Sequence, residues 1–165
     1  RELIDELWKN DPEMQQLAQQ YDERPVNRIL SRKINEFDNS IPHNVAQRQF
    51  DMIRQIADSG ESAIFVGRCA DHALAGRPGL LRIFCRADLG LRIRRIEQRH
   101  NLSKKKAALL VAKTDRHRRV YYHHHTGQFW GHSSCYDLTV NTGVLGVEKT
   151  AETMEAFIRT FWEQD

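Results

Sequence analysis

Stretches with helical spacing of apolar residues alternate with short, wholly apolar runs along this chain of 165 residues. Residues 2–37 read as helix in two or three pieces. Asp11-Pro12 starts one of them, with proline in the first turn, where its missing N–H is not needed. Arg24-Pro25 ends it, because the residue before a proline avoids helical dihedrals. From Asn27 to Phe37, Leu30, Ile34 and Phe37 follow at steps of four and three, with Ile29 beside them. Asn39, Ser40 and Pro42 predict a loop. Val45 to Ser59 then predicts an amphipathic helix, with Val45, Phe50, Ile53, Ile56 and Ala57 on one side and Gly60 as its cap.

Ala63-Ile64-Phe65-Val66 is wholly apolar and ends in Gly67-Arg68, which predicts a buried strand of a parallel sheet. Gly76 to Gly79 predicts a turn. Leu80 to Cys85 predicts a second strand, with Leu81, Ile83 and Cys85 alternating against Arg82 and Phe84. Asp88 opens a basic helix through Arg99 whose buried stripe is Leu89, Ile93 and Ile96. Ser103 caps a longer helix with Ala107, Leu110, Val111 and Tyr121 on its apolar side. Thr126-Gly127 breaks that pattern, and Tyr136 to Val140 predicts a third strand. Gly146 to Trp162 closes the chain as a helix, with Val147, Ala151, Met154, Ile158 and Phe161 spaced to dock on the sheet. Strands separated by helices predict one α/β domain over 1–165, with a parallel sheet and right-handed crossovers. Ligands bind beyond the carboxyl ends of such strands. Those ends are Gly67-Arg68, the residues after Cys85, and Asn141-Thr142.

The composition, 40% apolar and 28% charged, suits one real core in a protein that stays in solution. No apolar run approaches the ~20 residues of a membrane-spanning helix. Cys69, Cys85 and Cys135 are isolated and odd in number, which predicts free thiols in a reducing, cytoplasmic setting rather than disulfides or a zinc site.

The net charge of +3 hides an uneven distribution. From Arg92 to Arg119 there are eleven Lys or Arg against two acids, Glu97 and Asp115. Such a block marks a phosphate-rich partner, a nucleotide or a nucleic acid. Its sharpest part is Lys113-Thr114-Asp115-Arg116-His117-Arg118-Arg119, four cations within seven residues. On a helix Asp115 faces Arg118 and Arg119 at i,i+3 and i,i+4, leaving Arg116 for a ligand. Cations gathered in this way suit phosphoryl transfer, where charge shifts between two phosphates. At the end of the first strand, Gly67 permits close approach and Arg68 projects into the crevice. Tyr121-Tyr122-His123-His124-His125 holds three adjacent histidines, which lie ~100° apart on a helix and cannot share one ion. These histidines predict packing and loop contacts, with no metal site. Gln128-Phe129-Trp130-Gly131 predicts an aromatic-anchored loop.

Taken in order, several segments carry a resemblance. They are the strand ending in Gly67-Arg68, the strand Arg82-Ile83-Phe84, the helix Arg92-Ile93-Arg94-Arg95-Ile96 and the helix from Leu102-Ser103 to Asp115-Arg116. After them come Tyr121-Tyr122, Thr126-Gly127, Trp130-Gly131, Tyr136-Asp137-Leu138, Asn141-Thr142 and Leu145-Gly146-Val147-Glu148. This set resembles the cytidylate-kinase-like family of nucleoside-monophosphate kinases. The resemblance implies a three-layer P-loop kinase fold with a five-stranded parallel sheet. It also implies a monophosphate-binding region at about 1–60 and a helical lid at about 103–132. It implies transfer of the terminal phosphate of ATP, with Mg2+, to a nucleoside monophosphate, CMP or dCMP among them. The partners would be small-molecule nucleotides. A degenerate nucleotide binder and a nucleic-acid module using 92–119 are the alternatives.

On this resemblance Arg68 contacts the monophosphate, and Asp71 and Asp115 belong to the same acceptor side. Lys113, Arg116 and Arg118 are lid cations around the transferring phosphate. Asn141, Thr142 and Leu145 lie beside the adenine. The family places an Asp directly after the Gly-Arg pair to read cytosine, but here Cys69 stands there and Asp71 follows two residues later. No GxxxxGK[ST] turn occurs in residues 1–165. The missing first strand belongs between the strands predicted at Ala63–Val66 and Leu80–Cys85, which without it stand ~9–10 Å apart, twice the hydrogen-bonding spacing. The expectation is therefore a strand, glycine-rich loop and helix of roughly 30 residues ahead of Arg1.

Overall fold

The computed structural model describes residues 12, 15, 16 and 36–163, those from 36 to 43 by their backbone alone. The helices expected between residues 2 and 35 lie outside the described residues, except that Pro12, Gln15 and Gln16 are helical. The chain divides into two compact units. One holds the described residues up to Arg77 together with His117–Gly127, and the other holds Pro78–Arg116 and the residues from Gln128 onward.

In the first unit, α1 spans Glu36–Asp58. It runs through Asn39, Ser40 and Pro42, where a loop was expected. Proline removes one backbone donor, yet the turn chemistry of these residues yields to the longer helix. Val45, Ala46, Gln49, Phe50 and Ile53 recur at helical spacing and are all buried, Ile53 completely. Ser59 N donates to the Gln55 and Ile56 carbonyls, and Gly60 leaves the helix with φ +79°.

The predicted strand Ala63–Val66 does not form. A strand exists only through its ladder, and among the described residues nothing bonds to the backbone of Ser62–Val66. Ile64 and Val66 are instead 94% and 89% exposed. Gly67, Arg68 and Cys69 then take φ of 76°, 58° and 51°, a left-handed turn that leads into the short helix α2, Ala70–Ala73. Arg54 Nε donates to the Ala73 carbonyl at 3.3 Å, tying α1 to α2.

In the second unit, β1 (Ile83–Arg86) and β2 (Leu138–Asn141) pair in parallel, with Ile83 opposite Leu138 and Arg86 opposite Asn141. Among the described residues the sheet has these two strands, not five. Each begins two or three residues later than the apolar pattern suggested. The pattern marks apolar residues, whereas strand limits follow the hydrogen-bond ladder. Helix α3 (Leu89–His100) ends at Asn101 in the left-handed conformation. Two of its three expected stripe residues face inward. Ile93 and Ile96 are half-buried, but Leu89 is exposed, and Leu91 packs toward Gly143 instead. Helix α4 (Lys104–Thr126) starts after Ser103, whose Oγ accepts from Lys106 N at 3.5 Å. Its residues up to Arg116 belong to this unit and those from His117 to the other. Ala107 and Val111 are buried as expected, whereas Leu110 is exposed.

A 3-10 turn at Ser133–Cys135 precedes β2. Helix α5 (Thr142–Trp162) packs on both strands and is broken at Gly146 by φ 80°, ψ 175°. Of the loop's two aromatics Phe129 is 71% exposed, and the loop is anchored through Trp130 by Phe84 on β1. The Phe84 ring meets Trp130 edge-on at 5.3 Å and Tyr136 at 4.9 Å.

Candidate functional site

The carboxyl end of the sheet is built on two consecutive carbonyls. Thr142 Oγ1 donates to the Arg86 carbonyl at 3.2 Å, and Arg92 Nε donates to the Ala87 carbonyl at 3.0 Å. Asn141 Oδ1 accepts from Gly143 N at 3.0 Å and so caps the turn that follows β2. A side chain at Gly143 would have to push Leu91 aside. A Cβ there would stand 2.7 Å from Leu91 Cδ1 and 3.1 Å from Asn141 Oδ1. The break at Gly146 separates 142–145 from the body of α5. Val144 and Leu145 are therefore exposed apolar residues directly beyond a strand end, where a flat ring could lie. Asn141, Thr142 and Leu145 thus come together.

The basic arm is organised by an ion pair that the sequence pattern missed. Arg92 Nη1 donates to both oxygens of Asp115, at 2.9 and 2.7 Å. The Asp115 side chain is only 16% exposed. Asp115 was expected to pair along its own helix with Arg118 and Arg119. It pairs across to α3 because Arg92 is already held by the Ala87 carbonyl, so less freedom is lost in closing a shielded pair. Lys113 and Arg116 are exposed, and among the described residues neither has an ion-pair partner. With Asp115 neutralised by Arg92, their charge stays uncancelled.

In the other unit, Arg68 and Cys69 hold left-handed conformations that side chains rarely adopt, and such strain gathers at functional sites. Cys69, in the place of the family's Asp, is buried. Asp71 Oδ2 accepts from the Tyr122 hydroxyl at 2.6 Å, and Tyr122 is 4% exposed. Thr126 Oγ1 donates to the Tyr122 carbonyl at 2.7 Å. Arg68, Asp71 and Arg118 all belong to this unit. Of the three histidines His125 packs, meeting Phe50 edge-on at 5.6 Å and Tyr121 at 4.5 Å, whereas His123 and His124 are exposed.

Sequence reasoning missed Arg92 and Tyr122. Arg92 was one arginine among many in a basic helix. Tyr122 stood in a Tyr-Tyr pair whose buried hydroxyl demanded a partner, and that demand was the one available signal. Among the described residues no three His, Cys, Asp or Glu side chains converge as a metal site would require.

Known proteins bear on this geometry. A crystal structure of an uncharacterized protein from Eubacterium ventriosum ATCC 27560 superposes with a TM-score of 0.68 at 30% identity, covering 71% of this chain and 73% of that one. No curated protein matches the chain. The model of the cytidylate kinase-like family matches residues 1–144. The chain belongs to the cytidylate kinase-like family.

Proposed function

We propose that this protein transfers the terminal phosphate of ATP to a nucleoside monophosphate, with CMP and dCMP the first candidates. Membership of the cytidylate kinase-like family supports a nucleotide-kinase-like role. The observation that carries the reading is the arm itself. Lys113 and Arg116 are exposed and uncancelled, beside a carboxylate already taken by Arg92. Phosphoryl transfer needs such cations, because positioning and charge stabilisation supply most of its catalysis.

In this proposal Lys113, Arg116 and Arg118 surround the transferring phosphate. Arg68 and Asp71 serve the acceptor. Both Asp115 oxygens accept from Arg92, so its part is to hold the arm rather than to read the acceptor. Asn141, Thr142 and Leu145, with Val144, lie beside the adenine. Magnesium would arrive with the nucleotide, held chiefly by phosphates and water, as this ion is in kinase sites. The five-stranded sheet and its glycine-rich loop belong to the proposal, as does a cytoplasmic location, which the free thiols of Cys69, Cys85 and Cys135 suit.

The test is to incubate the full-length native chain with ATP, Mg2+ and a panel of monophosphates and to separate the products by chromatography. The expected result is a new nucleoside diphosphate from at least one acceptor. Tight ATP binding with no diphosphate would make the protein a degenerate nucleotide binder. RNA binding with a steep salt dependence, and no transfer, would assign 92–119 to nucleic acid.

A further inference from the structure

We propose that Arg92 is a positioning residue for the phosphate arm. Through Asp115 it sets the rotation of α4, so that Lys113 and Arg116 face away from the α3 contact and stay exposed to a phosphate. This rests on the kinase activity proposed above.

Arg92 bridges two elements with separate nitrogens. Nε is spent on the Ala87 carbonyl at 3.0 Å, and Nη1 on the Asp115 carboxylate at 2.7 and 2.9 Å. The first bond fixes the guanidinium to the end of β1. The second fixes α4 to the guanidinium. On α4, Lys113 lies two residues before Asp115 and Arg116 one after, ~200° and ~100° around the helix. Holding Asp115 inward therefore turns both cations outward. The neighbouring carbonyl, that of Arg86, holds Thr142 at 3.2 Å. The arm and the turn 142–145 thus hang from adjacent peptide groups, and Arg92 is the arm's half of that link.

The same contact has an electrostatic consequence. Without Arg92 the Asp115 carboxylate would stand uncompensated beside Lys113 and Arg116 and would offset their charge. Arg92 thus orients the arm and keeps it positive. Lysine cannot do this, since one ammonium lacks the fixed fork that reaches two acceptors on different elements.

The experiment compares Arg92→Lys, Asp115→Asn and the double variant with the full-length native chain. It reads kcat, KM for ATP, thermal midpoint, and amide hydrogen exchange at 112–117. Arg92→Lys keeps the charge and loses the geometry. The expected result is a fall in kcat of about 10- to 100-fold with KM changed less than about threefold, as for a small misplacement of reacting groups. Exchange at 112–117 should rise. Asp115→Asn, the milder change, should reproduce both effects, and the double variant should be no worse than either single one. Wild-type kcat in Arg92→Lys would overturn the proposal. So would a double variant whose losses simply multiply, or a loss explained entirely by a lowered thermal midpoint in both single variants. If the native chain transfers phosphate to no acceptor, the kinase reading fails by itself. The anchor is then decided by exchange alone, and unchanged exchange at 112–117 in Arg92→Lys and Asp115→Asn overturns it.

Discussion

Arg82 grips Asp137 with three bonds. Its backbone N and Nε donate to Oδ2 at 2.8 and 3.0 Å, and Nη2 donates to Oδ1 at 2.6 Å. Asp137 N and Leu138 N return bonds to the Arg82 carbonyl at 2.9 and 3.2 Å. The pair therefore sets the register in which β1 and β2 begin.

The hydrogen bonds from the Arg82 guanidinium hold the Asp137 carboxyl below its ordinary value, against the opposing pull of desolvation. A carboxylate with a depressed folded-state pKa contributes stability above its unfolded value of about 3.9. That contribution is lost as the pH falls through the folded value. Asp137→Asn is expected to cost about 1 kcal/mol at neutral pH, a modest figure for a half-exposed pair. Its denaturation midpoint should also depend less on pH in the acid range than that of the native chain. Parallel acid-titration curves for the two proteins would contradict this.

Gly131 and Gly127 form a matched pair. Both have positive φ, 79° and 70°. A Cβ on Gly131 would stand 2.9 Å from Phe84 Cζ, whereas one on Gly127 meets nothing within 4 Å. Gly127→Ala should cost about 1 kcal/mol, the left-handed strain alone. Gly131→Ala should cost about 2–4 kcal/mol, because overpacking against a ring clamped by Trp130 and Tyr136 adds to that strain. Urea denaturation of both variants reads the difference, and equal losses would remove the packing argument.

Tyr122→Phe deletes the hydroxyl that holds Asp71 while keeping the buried ring. It is expected to raise KM for the acceptor about tenfold, the equivalent of one hydrogen bond to a charged group. KM for ATP should be unchanged. Steady-state kinetics with each substrate varied in turn checks this. An equal rise in both values would show that Tyr122 supports the fold and not the acceptor side.

Much of this organisation was legible in the residues. The runs around Ile83 and Leu138 alternate and are bounded by turn residues, so both strands were found. The existence of the four helices follows from apolar spacing, and the start of α4 from Ser103, but α1 begins at Glu36 rather than Val45 and α5 at Thr142 rather than Gly146. At Ala63–Val66 the apolar pattern and the structure part. An apolar run reports a wish to be buried, but a strand also needs a neighbour to bond, which the run itself does not reveal. At Pro42 pattern and structure part again, since local turn chemistry lost to a helix whose buried face begins at Val45. In the candidate site, the exposure of Lys113 and Arg116 suits the charge clustering in the sequence, Asn141-Thr142 follows from a strand end, and Leu145 came with the family resemblance. The partner of Asp115 was not legible. The i,i+4 rule sees one helix at a time, and the choice of Arg92 depends on where the Ala87 carbonyl stands in the fold.

The most direct measurement is a phosphorus NMR time course of the full-length native chain with ATP, Mg2+ and CMP or dCMP, run beside Arg116→Ala. The ATP γ-phosphate signal should decay while diphosphate signals of both nucleotides grow. Arg116→Ala should slow this by about 100- to 1,000-fold, as loss of a transition-state charge contact does. Transfer at the same rate in the variant would contradict the role of the arm, and no transfer to any monophosphate would contradict the kinase itself.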